Sequence, residues 1–179
     1  TRDLDLQNMN GLPVVDYVNL RGPIDPSGPG DTPSRAGIFS CVPQNAAEKE
    51  LCAEDIIGSL ARRAYRRPVD ETDLGLLMDA YRRADEREGF EAGIQNAIRV
   101  ILASPAFLFR DEPDPSERAP GSVYPLDDLS LASRLSFFLW SSIPDAELLE
   151  VAEQGRLSDQ AEFDRQLARM LADEKADAI

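Results

Sequence analysis

At 179 residues the chain has room for one ordinary domain or two small ones. Apolar residues make up 42% and charged residues 29%, a globular balance that excludes a disordered chain. The net charge of −14 is uneven, with 13 basic and 17 acidic side chains in residues 1–110 against 6 and 16 in residues 111–179, and so acidic a surface argues against a nucleic-acid partner.

Residues 14–20 (VVDYVNL) are β-branched and aromatic and lie between Gly/Pro pairs, so they read as one strand. A lone strand does not fold, which assigns residues 1–21 to the end of an upstream β domain. The chain opens at Thr1 and closes at Ile179 inside a helical pattern, and is read as a piece of a longer protein. Residues 22–45 are expected to be an extended connector. Within residues 22–34, seven of thirteen are Gly or Pro, so no regular element is expected there. Asp25, Ser27 and Asp31 faintly resemble a calcium loop, but the twelfth position holds Ala36 rather than a glutamate.

A three-helix domain is expected over residues 46–111. The first helix runs over 46–65, capped by Asn45, with Ala53, Ile56, Ile57, Leu60 and Ala64 on one face and Cys52 at its edge. Asp70 caps the second, whose stripe is Leu74, Leu77, Met78 and Tyr81, and Gly89 closes it. The third buries Phe90, Ile94, Ala97, Ile98, Ile101 and Leu102 and stops before Pro105. Phe107, Leu108 and Phe109 are expected to pack back as an apolar plug. Residues 112–123 read as a linker rich in proline and charge.

Residues 124–179 are expected to begin a second helical domain. Its first helix is capped by Asp127 or Asp128 and carries Leu129, Ala132, Leu135, Phe138 and Leu139 on its apolar face. Pro144 is placed at the first position of a short helix over 145–154. Ser158 is placed as the cap of a final helix with Phe163, Leu167, Met170 and Leu171 apolar. The fold class is all-α: a small three-helix bundle, then the start of a second helical domain, preceded by one strand. No apolar run is long enough for a membrane span.

The chain has no histidine, which removes Ser–His–Asp and Cys–His catalysis and most zinc sites. No catalytic constellation remains, and whether the parent protein is an enzyme is left open. Acidic pairs such as Asp127 with Asp128 or Glu71 with Asp73 sit at helix starts, where capping explains them. Cys41 and Cys52 are the only cysteines. They fit a disulfide, free thiols or an incomplete metal site. The disulfide is favoured, closing a short loop worth roughly 3 kcal/mol and implying an oxidising compartment. C-x-x-C-H is absent, so no haem is attached here.

Arg62, Arg63, Arg66 and Arg67 form the densest basic patch. They read either as an anion clamp or as a solvated helix end suited to the dipole, with salt bridges between domains as the competing role. Trp140 reads as a core anchor, with sugar stacking as the alternative.

The blocks GPIDPSGPGDTPSRAGIFSC (22–41), CAEDIIGSLARRAYRRPV (52–69) and FEAGIQNAIRVILASPAFLFR (90–110) resemble domain five of the planctomycete-specific domains of unknown function. The block YPLDDLSLASRLSFFLWSSIPDAELLEVAEQGRL (124–157) resembles the opening of domain four. This resemblance implies a large exported protein, periplasmic or at the cell surface, in which such domains accompany c-type cytochrome modules. Its partners would be other domains of the same chain and a c-type cytochrome, with haem c carried elsewhere in the parent. The expected function is a non-catalytic structural or interaction module. The alternatives are part of a haem-dependent oxidoreductase or polysaccharide-active enzyme, or a module that binds carbohydrate or protein.

Overall fold

The computed structural model describes residues 30, 32–110 and 123–178, and among these it is all-α. Eight helices follow in order: α1 Pro33–Ile38, α2 Ala46–Tyr65, α3 Glu71–Glu88, α4 Phe90–Ala103, α5 Pro105–Leu108, α6 Asp128–Trp140, α7 Ala146–Glu153 and α8 Gln160–Leu171. A 3-10 turn, Glu174–Ala178, closes the described chain. The expected strand at 14–20 and linker at 112–123 lie outside the described residues, save Val123 at the linker's end.

Local capping sets most helix starts. Asn45 accepts from the Glu48 amide at 3.0 Å and begins α2. Asp70 and Asp73 form a reciprocal capping box at the start of α3, satisfying two amide donors that the helix leaves orphaned. Gly89 is the sole link between α3 and α4. Its φ of 92° lets the chain reverse in one residue, a backbone state that side chains with a Cβ resist.

Four local expectations are corrected. The 22–45 segment is not extended throughout, because Thr32 caps α1 and Pro33, at its first position, has φ already set for a helix. Asp159, not Ser158, caps α8, its carboxylate taking the amides of Ala161 and Glu162. Asp145 caps α7, so Pro144 precedes the cap rather than entering the helix. The 107–109 plug also fails as drawn: Pro105 starts the short α5, leaving Phe107 half-buried and Leu108 and Phe109 exposed.

Two apolar clusters organise the molecule. The first joins α2, α3 and α4 around Ile56, Ile57, Leu77, Tyr81 and Ile94. Ile38, Phe39 and Cys41 pack against it from the preceding segment. That segment is fastened twice. The Cys41–Cys52 disulfide joins it to α2 with Cα atoms 6.0 Å apart, and Arg35 forms an ion pair with Glu91 at the start of α4. The second cluster joins Ala132, Leu139 and Trp140 of α6 to Leu148 and Val151 of α7, Leu157 of the loop and Met170 of α8.

The α3–α4 contact is close because Gly93 meets Tyr81 without a side chain between them. A Cβ there would stand 2.5 Å from the Tyr81 ring and 3.1 Å from its backbone oxygen. The ring cannot swing aside, being fully buried and packed edge-on against Phe90. Gly93→Ala is therefore expected to destabilise the chain by about 1–3 kcal/mol despite alanine's better helix propensity, as a denaturant titration would show. Equal or greater stability would disprove the close packing.

Candidate functional site

The arginines at the end of α2 project in different directions and meet different partners. Arg62 reaches α7, where its Nε and one terminal nitrogen each donate to Glu153 at 2.8 Å. This fork ties the first apolar cluster to the second. Arg63 is exposed. Arg67 donates to both Asp73 oxygens, at 2.6 and 3.2 Å, and lies 5.5 Å from the Tyr65 ring centre. Asp73 thus serves a capping box and an ion pair together, and the Arg67 guanidinium holds its carboxyl below the usual carboxylate range.

Arg66 is the unusual member. It ends α2 in the left-handed region, at φ 58°, and is only 7% exposed. Its guanidinium donates to the carbonyl of Ala64 at 2.8 Å and to those of Ala106 and Phe109, each at 2.9 Å. One side chain therefore satisfies carbonyls left open at the ends of both α2 and α5. These acceptors are neutral. Burial, and then the nearby Arg110 cation, hold the guanidinium below its ordinary pKa.

Arg66 and Arg110 border a cleft of about 590 Å³ between the α2 end and the start of α6. Tyr65, Phe109 and Leu129 contribute apolar surface, while Asp127, Ser130 and Ser133 face in from the α6 side. Asp127 is occupied as the α6 cap, accepting from the Ser130 amide at 2.9 Å and its hydroxyl at 2.6 Å. The buried Ser133 hydroxyl has no hydrogen-bond partner.

A second polar assembly lies between α7 and α8, and the apolar pattern of α8 does not reveal it. Its inward positions include Glu162, Gln166 and Met170, at four-residue spacing. Glu162 accepts from Arg165 and from Gln166, the latter at 3.1 Å, and Gln166 also donates to Glu147 at 3.1 Å. Arg169 forks onto Asp145 at 2.6 and 3.0 Å. The spacing was readable as a helix face, but only packing shows that a polar face turns inward. Leu171 and Phe138, both placed on apolar faces, are instead exposed, as is Leu102 in α4.

Hydrogen bonds from Arg165, then Gln166, bring the Glu162 carboxyl down to about 2. A carboxylate whose pKa falls on folding stabilises the fold above its unfolded pKa, and that contribution fades as pH falls. Stability should therefore drop from the ordinary glutamate range near 4.5 towards 2, and Glu162→Gln should flatten that part of the profile. Thermal melts across this range provide the test, and an unchanged slope in the variant would refute the assignment.

Trp140 is 5% exposed and donates its Nε1 hydrogen to the Met170 carbonyl at 3.0 Å. Lys175 Nζ lies 4.5 Å from its ring centre and the Arg169 guanidinium 5.6 Å. Among the described residues no group of three or more His, Cys, Asp or Glu side chains could hold a metal ion. Haem c attachment would require free cysteine thiols, and these two are bonded to each other, so this part of the chain does not fit that group. Nor is any described helix long and apolar enough to cross a membrane.

The fold and its polar contacts define a disulfide-fastened, all-α pair of helical clusters in which several arginines pair with carboxylates at helix ends. Residues 52–112 match the family model PSD5, a protein of unknown function (DUF1595), and residues 126–179 match PSD4, a protein of unknown function (DUF1592). Both are planctomycete-specific domain families, and the PSD5 match precedes the PSD4 match along the chain. No curated protein and no solved structure matches it.

Proposed function

We propose that this chain is a non-catalytic structural and interaction module of a large exported protein, working beside c-type cytochrome modules in the periplasm or at the cell surface. The Cys41–Cys52 disulfide carries the reading, because such bonds persist in oxidising compartments. The arginine cluster supports the structural part: Arg62, Arg66 and Arg67 hold helix ends and neighbouring helices together. The domain divisions read from the sequence belong to the same proposal, with a three-helix unit over 46–111 and a second helical unit from 124. Its partners are other domains of the parent and a c-type cytochrome.

The test is to isolate the parent protein from the cell envelope and alkylate it before and after reduction. Protection of both cysteines until reduction, together with a haem absorbance in the parent or in a co-purifying protein, is the expected result. Free thiols at Cys41 and Cys52 would overturn the exported reading. A haem-free parent with no cytochrome partner would overturn the cytochrome association.

A further inference from the structure

We propose that the cleft between the end of α2 and the start of α6 binds a small organic monocarboxylate with an apolar body. The chemistry of the cleft is independent of any cytochrome partner. Three guanidinium groups border the cleft against one carboxylate, that of Asp127. Arg67 is matched by Asp73, and Asp127 is engaged in capping. Arg66 is buried against neutral carbonyls, and Arg110 stacks 4.6 Å from the Phe137 ring centre. A buried cation with only neutral acceptors and a second cation nearby is costly, and an anion in the adjoining cavity offsets that cost.

The Ser133 hydroxyl supplies an independent sign. It is nine-tenths buried, lines the cleft and has no partner, so it is a donor waiting for an acceptor. Tyr65, Phe109 and Leu129 offer surface to an apolar body, and about 590 Å³ is the size of a small-molecule site. The net charge of −14 works against polyanions at longer range. A single carboxylate on an apolar frame meets all of these conditions, whereas phosphate can take the same donors but leaves the apolar surface of Tyr65, Phe109 and Leu129 uncovered.

Calorimetric titration of the 179-residue chain with benzoate tests the proposal, with benzamide and inorganic phosphate as comparisons. Benzoate is expected to bind one site with a Kd of about 1 mM or tighter, and both comparisons at least about tenfold more weakly. Arg110→Gln should weaken benzoate about tenfold, the effect of one favourable charge contact. Ser133→Ala should weaken it several-fold, on the order of one hydrogen bond. Circular-dichroism melts establish that each variant is folded. Equal binding of benzamide, phosphate matching benzoate, or unchanged benzoate affinity in both folded variants would overturn the proposal.

Discussion

Arg66→Lys is expected to destabilise the chain by about 2–4 kcal/mol, although it keeps the charge and the helix-end position. A lysine ammonium is a single point on a flexible stem. It cannot bond at once to the carbonyls of Ala64, Ala106 and Phe109, which the guanidinium reaches at 2.8–2.9 Å. Left without donors, those acceptors bear a desolvation cost, and the α5 end loses its hold on α2. An ordinary solvated cation at a helix C-terminus is worth only about 0.3–1 kcal/mol, so the size of the effect separates the two roles. Arg66→Gly sharpens the comparison. Glycine relieves the backbone at φ 58°, returning about 1 kcal/mol, yet should still leave the chain less stable because the clamp is gone. A glycine variant as stable as the parent, or a lysine variant within about 0.5 kcal/mol of it, would show that Arg66 is only a helix-end cation. Denaturant midpoints at constant slope supply the measurement.

Opening the Cys41–Cys52 bond is the second large effect. Replacing both cysteines with alanine is expected to cost about 3 kcal/mol, since the bond closes a loop spanning eleven positions. The loss should be felt first where the bond acts. The segment carrying Ile38 and Phe39 lies on the first cluster through that bond, the Arg35–Glu91 pair and the Phe39–Phe90 ring contact. A surface ion pair alone is worth roughly 0–1 kcal/mol and does not replace the covalent link. Hydrogen exchange should therefore rise in residues 32–45 of the double alanine variant, while amides of α6 and α7 remain protected. Uniform protection across the first cluster would mean that packing alone fastens the segment.

Cys52 itself lies in α2 and is buried beside Ala53 and Ile56, so the bond reaches into the first cluster rather than lying over it. The PSD5 match opens at this residue. The disulfide and the first helix of that domain are thus one structural feature: the helix supplies a rigid anchor, and the bond brings the preceding segment onto it.

Much of the all-α layout was legible in the sequence because helix ends are local. Asn45, Asp70 and Gly89 act within three or four residues of their own position, so their roles could be read without knowing what packs nearby. The spacing of Ile56, Ile57, Leu77 and Ile94 likewise placed them in a core. Where two cap candidates stood side by side, as at Asp127 and Asp128, the local code was ambiguous and only the observed hydrogen bonds separate them, while at α8 the expected cap Ser158 gives way to its neighbour Asp159.

The sequence by itself determined the six longer helices, the all-α class and the pair of cysteines available for bonding, but not the short α1 and α5. Tertiary structure decided which faces those helices bury and what the polar side chains do. Leu102, Phe138 and Leu171 carry the hydrophobicity of core residues yet lie exposed, while Gln166 is fully buried. Arg66 looks like its neighbours along the chain, and only a short helix some forty residues away makes it a clamp. The reason is physical. Capping and periodicity are fixed by bonds spanning one turn, whereas burial and charge pairing depend on surfaces brought together from distant parts of the chain.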